Sequence, residues 1–113
     1  MKIINEKISL EDLKKLAEES FGDFIKAVVD IEIEIMSIGG ELHADEEYLL
    51  LNEGSKQENL WGINIYPFND VEKMIEFDSM INVRPRQNNR SRGVENPVIQ
   101  SKIIEITNKL ITS

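Results

Sequence analysis

Leu10, Leu13, Leu16 and Ala17 recur at helical spacing, and directly before them stand Ser9, a good N-cap, and the first-turn acids Glu11 and Asp12. The spacing predicts a helix over 9–19, punctuated by Phe21 and Gly22. Upstream, Ile3, Ile4 and Ile8 stand among polar neighbours, as in a short edge strand or a docked extended arm.

The stretch 23–38 fits two periods. Val29, Ile31, Ile33 and Ile35 alternate with Asp30, Glu32 and Glu34 as in a half-buried strand. Phe24, Val28, Ile31, Ile35 and Ile38 instead recur every three or four residues, and Gly39 and Gly40 stand where a helix C-cap is wanted. The length of the segment and its glycine stop favour a helix over 23–38. A helix there places Glu32 inside the apolar face, with Asp23, Lys26, Asp30, Glu34 and Ser37 opposite.

From Glu41 the period shortens towards two. Leu42, Ala44, Tyr48 and Leu50 lie on one side, and His43, Asp45, Glu47, Leu49 and Leu51 on the other, which predicts a strand over 42–51. A helix over 44–51, stopped at Gly54, competes with it, because the glutamates and leucines are good helix formers. A polar loop covers 52–59.

Trp61, Ile63 and Ile65 alternate with Gly62, Asn64 and Tyr66 in a strand ending at Pro67. After a turn, Ile75, Phe77, Ser79, Ile81 and Val83 alternate with Glu76, Asp78, Met80, Asn82 and Arg84, giving a second strand hairpinned to the first and closed by Pro85. An exposed loop over 86–96 leads to Asn96 as N-cap, Pro97 at the first helical position and the stripe Ile99, Ile103, Ile106, Leu110. The fold class expected is α+β: one domain over 1–113, with a mostly antiparallel meander of three to four strands covered on one face by about three helices.

Composition narrows the function classes. The formal charge of −8 repels phosphate backbones and anionic membrane surfaces, which argues against nucleic-acid binding. With no cysteine, disulfides, thiol nucleophiles, thiolate zinc sites and iron–sulfur clusters drop out together. No signal-type apolar run or membrane span is visible, so cytoplasmic residence follows by elimination. No cofactor is expected.

Three groups of residues could carry chemistry. On a strand, His43, Asp45 and Glu47 project from one face, the minimum of a metal site or of an acid–base site built on the single histidine. The plainer account is the wet face of a sheet. Glu32, placed on an apolar stripe, must be paired, protonated or at the rim, and a buried partner such as Arg84 or His43, or a rim position, explains it better than catalysis does. Arg84, Arg86, Arg90 and Arg92 are the one basic concentration, able to hold an anion, but a solvated loop balancing acidic neighbours is the better account. Trp61 shares a face with Ile63 and Ile65 and reads as core.

The runs Gly39-Gly40-Glu41-Leu42-His43-Ala44-Asp45, Gly54-Ser55 with Gln57, Leu60-Trp61-Gly62, and Ile81-Asn82-Val83-Arg84-Pro85 with Gln87, Asn88 and Ser91 resemble a family of small uncharacterised prokaryotic proteins classed as a domain of unknown function. The resemblance spans nearly the whole chain. It implies a self-contained domain without naming a reaction, cofactor or partner, and its polar motif positions include Asp30, Glu32, His43, Asp45, Glu47, Asn82 and Arg84. Ile33 departs from the pattern, where a charged or small residue is expected, and makes a homo-oligomer a candidate. The leading expectation is a binding or structural domain with a polar patch of His43, Asp45, Glu47, Asn82 and Arg84. The rival is a metal-assisted hydrolase with Glu32 or His43, beside Asp45, as acid–base and Arg84 as anion contact.

Overall fold

The computed structural model describes all residues, Met1–Ser113. Ser9 accepts the Asp12 N–H at 3.1 Å and caps helix α1 (Leu10–Glu19), which buries Leu13 and Ala17. Asn96 likewise accepts the Val98 N–H at 2.8 Å, and Pro97 opens the terminal helix, whose inner side buries Ile103, Ile106 and Leu110.

The segment 23–38 is not a helix. It forms β3 (Ile25–Asp30) and β4 (Ile35–Ile38), an antiparallel pair in which Ala27 faces Ile38 and Val29 faces Met36. Asp30 makes the turn: its carboxylate accepts the N–H of Glu32 at 2.8 Å and of Ile33 at 3.1 Å, and its carbonyl accepts that of Glu34 at 3.0 Å. Glu34 takes a positive φ of 59°. Glu32 therefore stands exposed on the turn rather than on a buried stripe. Helical and strand periods both fit these apolar positions, and pairing with neighbours on each side decided between them.

The segment 42–51 is also reversed: the helical competitor is the one that forms, as α2 (His43–Asn52). Leu60–Tyr66 keeps its strand as β5 (Leu60–Ile65), paired along its length with β3. Only the first residues of the expected 75–84 strand extend, as β6 (Ile75–Glu76), after which the chain turns through short 3-10 segments at Met80–Asn82 and Pro85–Gln87.

With β1 (Lys2–Ile4) at one edge, the antiparallel sheet has five strands in the order β1-β4-β3-β5-β6, more than the three or four expected, within the α+β class. A second, parallel pair joins β2 (Ile8–Ser9) to β7 (Ile111–Thr112), behind α3 (Pro97–Leu110). The register sends Ile25, Ala27, Val29, Met36, Ile38, Trp61, Ile63 and Ile65 to one face, where they form the main core with α1 and α3. Val28 and Leu60 point the other way and meet Leu50 of α2. Helices thus cover both faces of the sheet, not one, because β3 is apolar on both sides and each side must be covered.

Candidate functional site

Where β6 stops, the outer edge of β5 still needs partners. The Asn82 carboxamide supplies them: its Oδ1 accepts the Gly62 N–H at 2.8 Å and its Nδ2 donates to the Gly62 carbonyl at 2.9 Å, as an opposing peptide group would. A second Nδ2 bond, of 3.0 Å, holds the Arg92 carbonyl. Glycine is required at 62, because a Cβ there would stand 2.6 Å from Ser79. Arg84 continues the edge. It donates to the carbonyls of Ile81, Gln57 and Leu60 and to the Gln87 side chain, lies 3.8 Å from the Glu47 carboxylate, and stacks 4.6 Å from the Trp61 ring centroid. Burial lowers the guanidinium pKa and the Glu47 charge opposes that. Asn89 closes the loop by donating to the carbonyls of Asn82, Ser91 and Gly93 and accepting the Glu95 N–H.

The inner side of α2 is polar as well as apolar. His43 Nε2 donates to the Ile63 carbonyl at 2.8 Å, which fixes the proton on that nitrogen because a carbonyl can only accept. Burial draws the imidazole below its usual pKa, and the Ile63 bond pulls the other way. Glu46, one turn on, is fully buried; Oε2 accepts the Gly40 N–H at 2.9 Å and Oε1 has no partner. Burial pushes this carboxyl up to about 9, against the Gly40 bond and the Lys26 charge, so the acid is neutral at pH 7.

The outer side of α2 carries exposed apolar residues. Ala44, Tyr48 and Leu51, at i, i+4 and i+7, are all exposed, Tyr48 by 66% and Leu51 by 37%, and Leu42 just before the helix by 56%. Beside them Met1, Gly39, Gly40, Glu41, Asp45 and Tyr48 wall an open cleft of about 350 Å³. A separate polar cleft of about 340 Å³ lies between the β3–β4 turn and the 54–59 loop, and includes Asp30, Glu32, Ser55 and Glu58. In it the Asp30 carboxylate is already engaged by Glu32, Ile33 and, at 2.6 Å, the Ser55 hydroxyl.

A family model described as a protein of unknown function (DUF5674) matches residues 2–110. The chain belongs to this family. No curated protein and no solved structure matches it. The motif residues through which the sequence resembles an uncharacterised family acquire a physical role in this DUF5674 chain: Asn82, Arg84 and Gln87 stitch the 78–95 segment to β5 and the loop before it.

The residues proposed from sequence as a polar patch separate accordingly. Glu47 and Arg84 meet, and Asn82 lies on the turn before Arg84, but His43 points under α2 and Asp45 into the outer cleft. On a helix, residues two apart diverge by about 200°, so His43, Asp45 and Glu47 cannot share a face as they would on a strand. They do not converge as metal ligands, and no group of three or more His, Asp or Glu side chains does so elsewhere. Of the basic loop, Arg84 is internal and Arg92 is paired with Asp78 at 2.6 Å, while Arg86 and Arg90 are exposed. Sequence reasoning missed Glu46, which the helical reading of 44–51 would have placed four residues before Leu50 on the buried side; nothing local marks Asn89.

Proposed function

We propose that this DUF5674 domain is a binding domain without catalytic activity that docks another protein through the outer face of α2. The single observation behind the reading is the stripe Ala44, Tyr48, Leu51, exposed on a helix whose opposite side is already packed on the sheet. An exposed Tyr flanked by aliphatic residues offers large contact area at small entropic cost. The proposal takes the domain to be cytoplasmic, in keeping with its cysteine-free sequence, and to avoid nucleic acid, in keeping with its charge of −8. No helix is long and apolar enough to cross a membrane. The hydrolase reading has less support, since Arg84 commits four donors to the protein itself and Glu32 stands on a turn away from His43.

The experiment is site-specific photocrosslinking in cells, with benzoylphenylalanine at Tyr48 and, as control, at Val98, which is equally exposed on α3. A discrete adduct of reproducible mass from position 48 and none from position 98 is expected. No adduct from 48, or the same pattern from both positions, refutes the docking face. An adduct of twice the chain mass identifies a second copy as the occupant.

A further inference from the structure

The two faces of the sheet are covered unequally. The main core gathers 17 buried apolar residues, and none of them comes from α2. To the second cluster, Val28, Leu50 and Leu60, the helix supplies Leu50 alone, its one fully buried apolar side chain. Its other two buried residues, His43 and Glu46, are polar. A single hydrogen bond, from His43 Nε2 to the Ile63 carbonyl, ties α2 to the sheet, and the one charged contact, Glu47 with Arg84, spans 3.8 Å. The helix also does little to hold itself together. Leu42 at its N-cap offers no side-chain bond, and no Lys or Arg lies within it to pair with its acids.

Glycines bracket the segment. Gly39, at a φ of 86°, and Gly40 precede it, and Gly54, at a φ of 102°, follows it. A Cβ at Gly54 would meet nothing within 4 Å, so the chain there has room to turn. Glu46 acts on the first hinge: its Oε2 accepts the Gly40 N–H at 2.9 Å, while Oε1 is buried without a partner. An unpaired buried oxygen is a standing penalty on the closed form that lifting the helix into water removes.

We propose that residues 39–54 form a hinged flap: α2 lifts from the sheet as one unit, turning about Gly39-Gly40 and Gly54 while the main core stays folded, with the Glu46 carboxyl as its catch. Opening uncovers Val28 and Leu60, both fully buried in the closed form. The catch depends on a proton. In the closed form the carboxyl faces Lys26 on β3, the Met1 ammonium at the start of β1 and Asp45 on its own helix; β4 brings no charge, and Arg84 faces Glu47 instead. Burial outweighs these charges and keeps the acid protonated, whereas in the open form water lets it ionise, so rising pH favours opening. His43, which faces Lys26, Asp78 and Arg92, is neutral in both forms above about pH 7.5, because burial draws it below its ordinary 6.5 when closed.

The test is native-state hydrogen exchange of the intact ¹⁵N-labelled chain at low urea concentrations. The amides from Glu47 to Leu51 are expected to share one opening, with its own urea dependence, at least about a hundredfold more frequent than the opening that releases the amides of β3 and β5. Between about pH 7.5 and 8.5 the α2 opening should become about tenfold more frequent, beyond the intrinsic rise of exchange with pH, and Glu46→Gln should remove that increment. A common opening for α2, β3 and β5 overturns the flap, since the helix then leaves only when the whole fold does. Separate rates for each α2 amide, without urea dependence, indicate fraying and overturn it as well. A native chain whose α2 opening shows no increment with pH, or a Glu46→Gln variant that keeps it, overturns the catch. The crosslink at Tyr48 decides the docking face independently, because the flap rests on the inner side of α2.

Discussion

Replacing Glu46 by Gln isolates the most unusual group in the protein. Glu46 is fully buried, with one oxygen on the Gly40 N–H and the other unpartnered, and burial holds its carboxyl at about 9 against an ordinary 4.5. An acid whose folded pKa is raised binds its proton more tightly when folded. Its penalty is therefore absent below pH 4.5, grows as pH rises, and is complete above about 9. Each pH unit in that window costs about 1.4 kcal/mol, so the roughly 2.5 units between 4.5 and 7 come to about 3 kcal/mol. Glutamine has no proton to lose, and its carbonyl can still accept the Gly40 N–H. Its amide nitrogen, however, takes the place of the unpartnered oxygen and costs about 1–3 kcal/mol. The two stability profiles should then cross: the native chain matches or exceeds the variant at pH 5, and the variant exceeds the native chain by several kcal/mol at pH 9. Urea unfolding at unit steps from pH 5 to 9, with the m-value checked for constancy, measures this difference. Because other titrating groups are common to both proteins, the difference curve reports Glu46 alone. Parallel profiles would show that the carboxyl ionises normally in the fold, and the burial argument would be wrong.

Two further expectations follow from the same geometry. Asn82→Ala strips both Gly62 backbone groups and the Arg92 carbonyl of their partner, so it should cost about 3 kcal/mol or more in denaturant unfolding, with faster amide exchange at Gly62; a loss under 1 kcal/mol contradicts the surrogate-strand role. His43 is the sole histidine, so its imidazole NMR signal is unambiguous and should titrate below the usual 6.5; its contribution to stability is full above 6.5 and lost as pH falls towards the folded value, and a midpoint above 6.5 refutes the buried neutral imidazole.

Helix ends and one strand were legible in the sequence because their signals are local. Ser9 and Asn96–Pro97 satisfy backbone N–H groups within three residues, and the alternation from Trp61 to Ile65 reports a strand whose two faces differ. The competing helix over 44–51 was legible too, but a run of three leucines, 49–51, satisfied a period of two as easily as one of 3.6. Residues 23–38 could not be settled locally at all: β3 is apolar on both faces, and only the presence of β4 and β5 beside it made the extended form the one that fills its hydrogen bonds. The candidate site depended on tertiary structure still more. Asn82 reaches a glycine twenty residues away in sequence to complete an interrupted sheet edge, and Glu46 is neutral only because α2 lies on the sheet. Spacing along the chain determines which residues can share a face; whether that face is buried, paired or left open is set by what the rest of the chain brings against it.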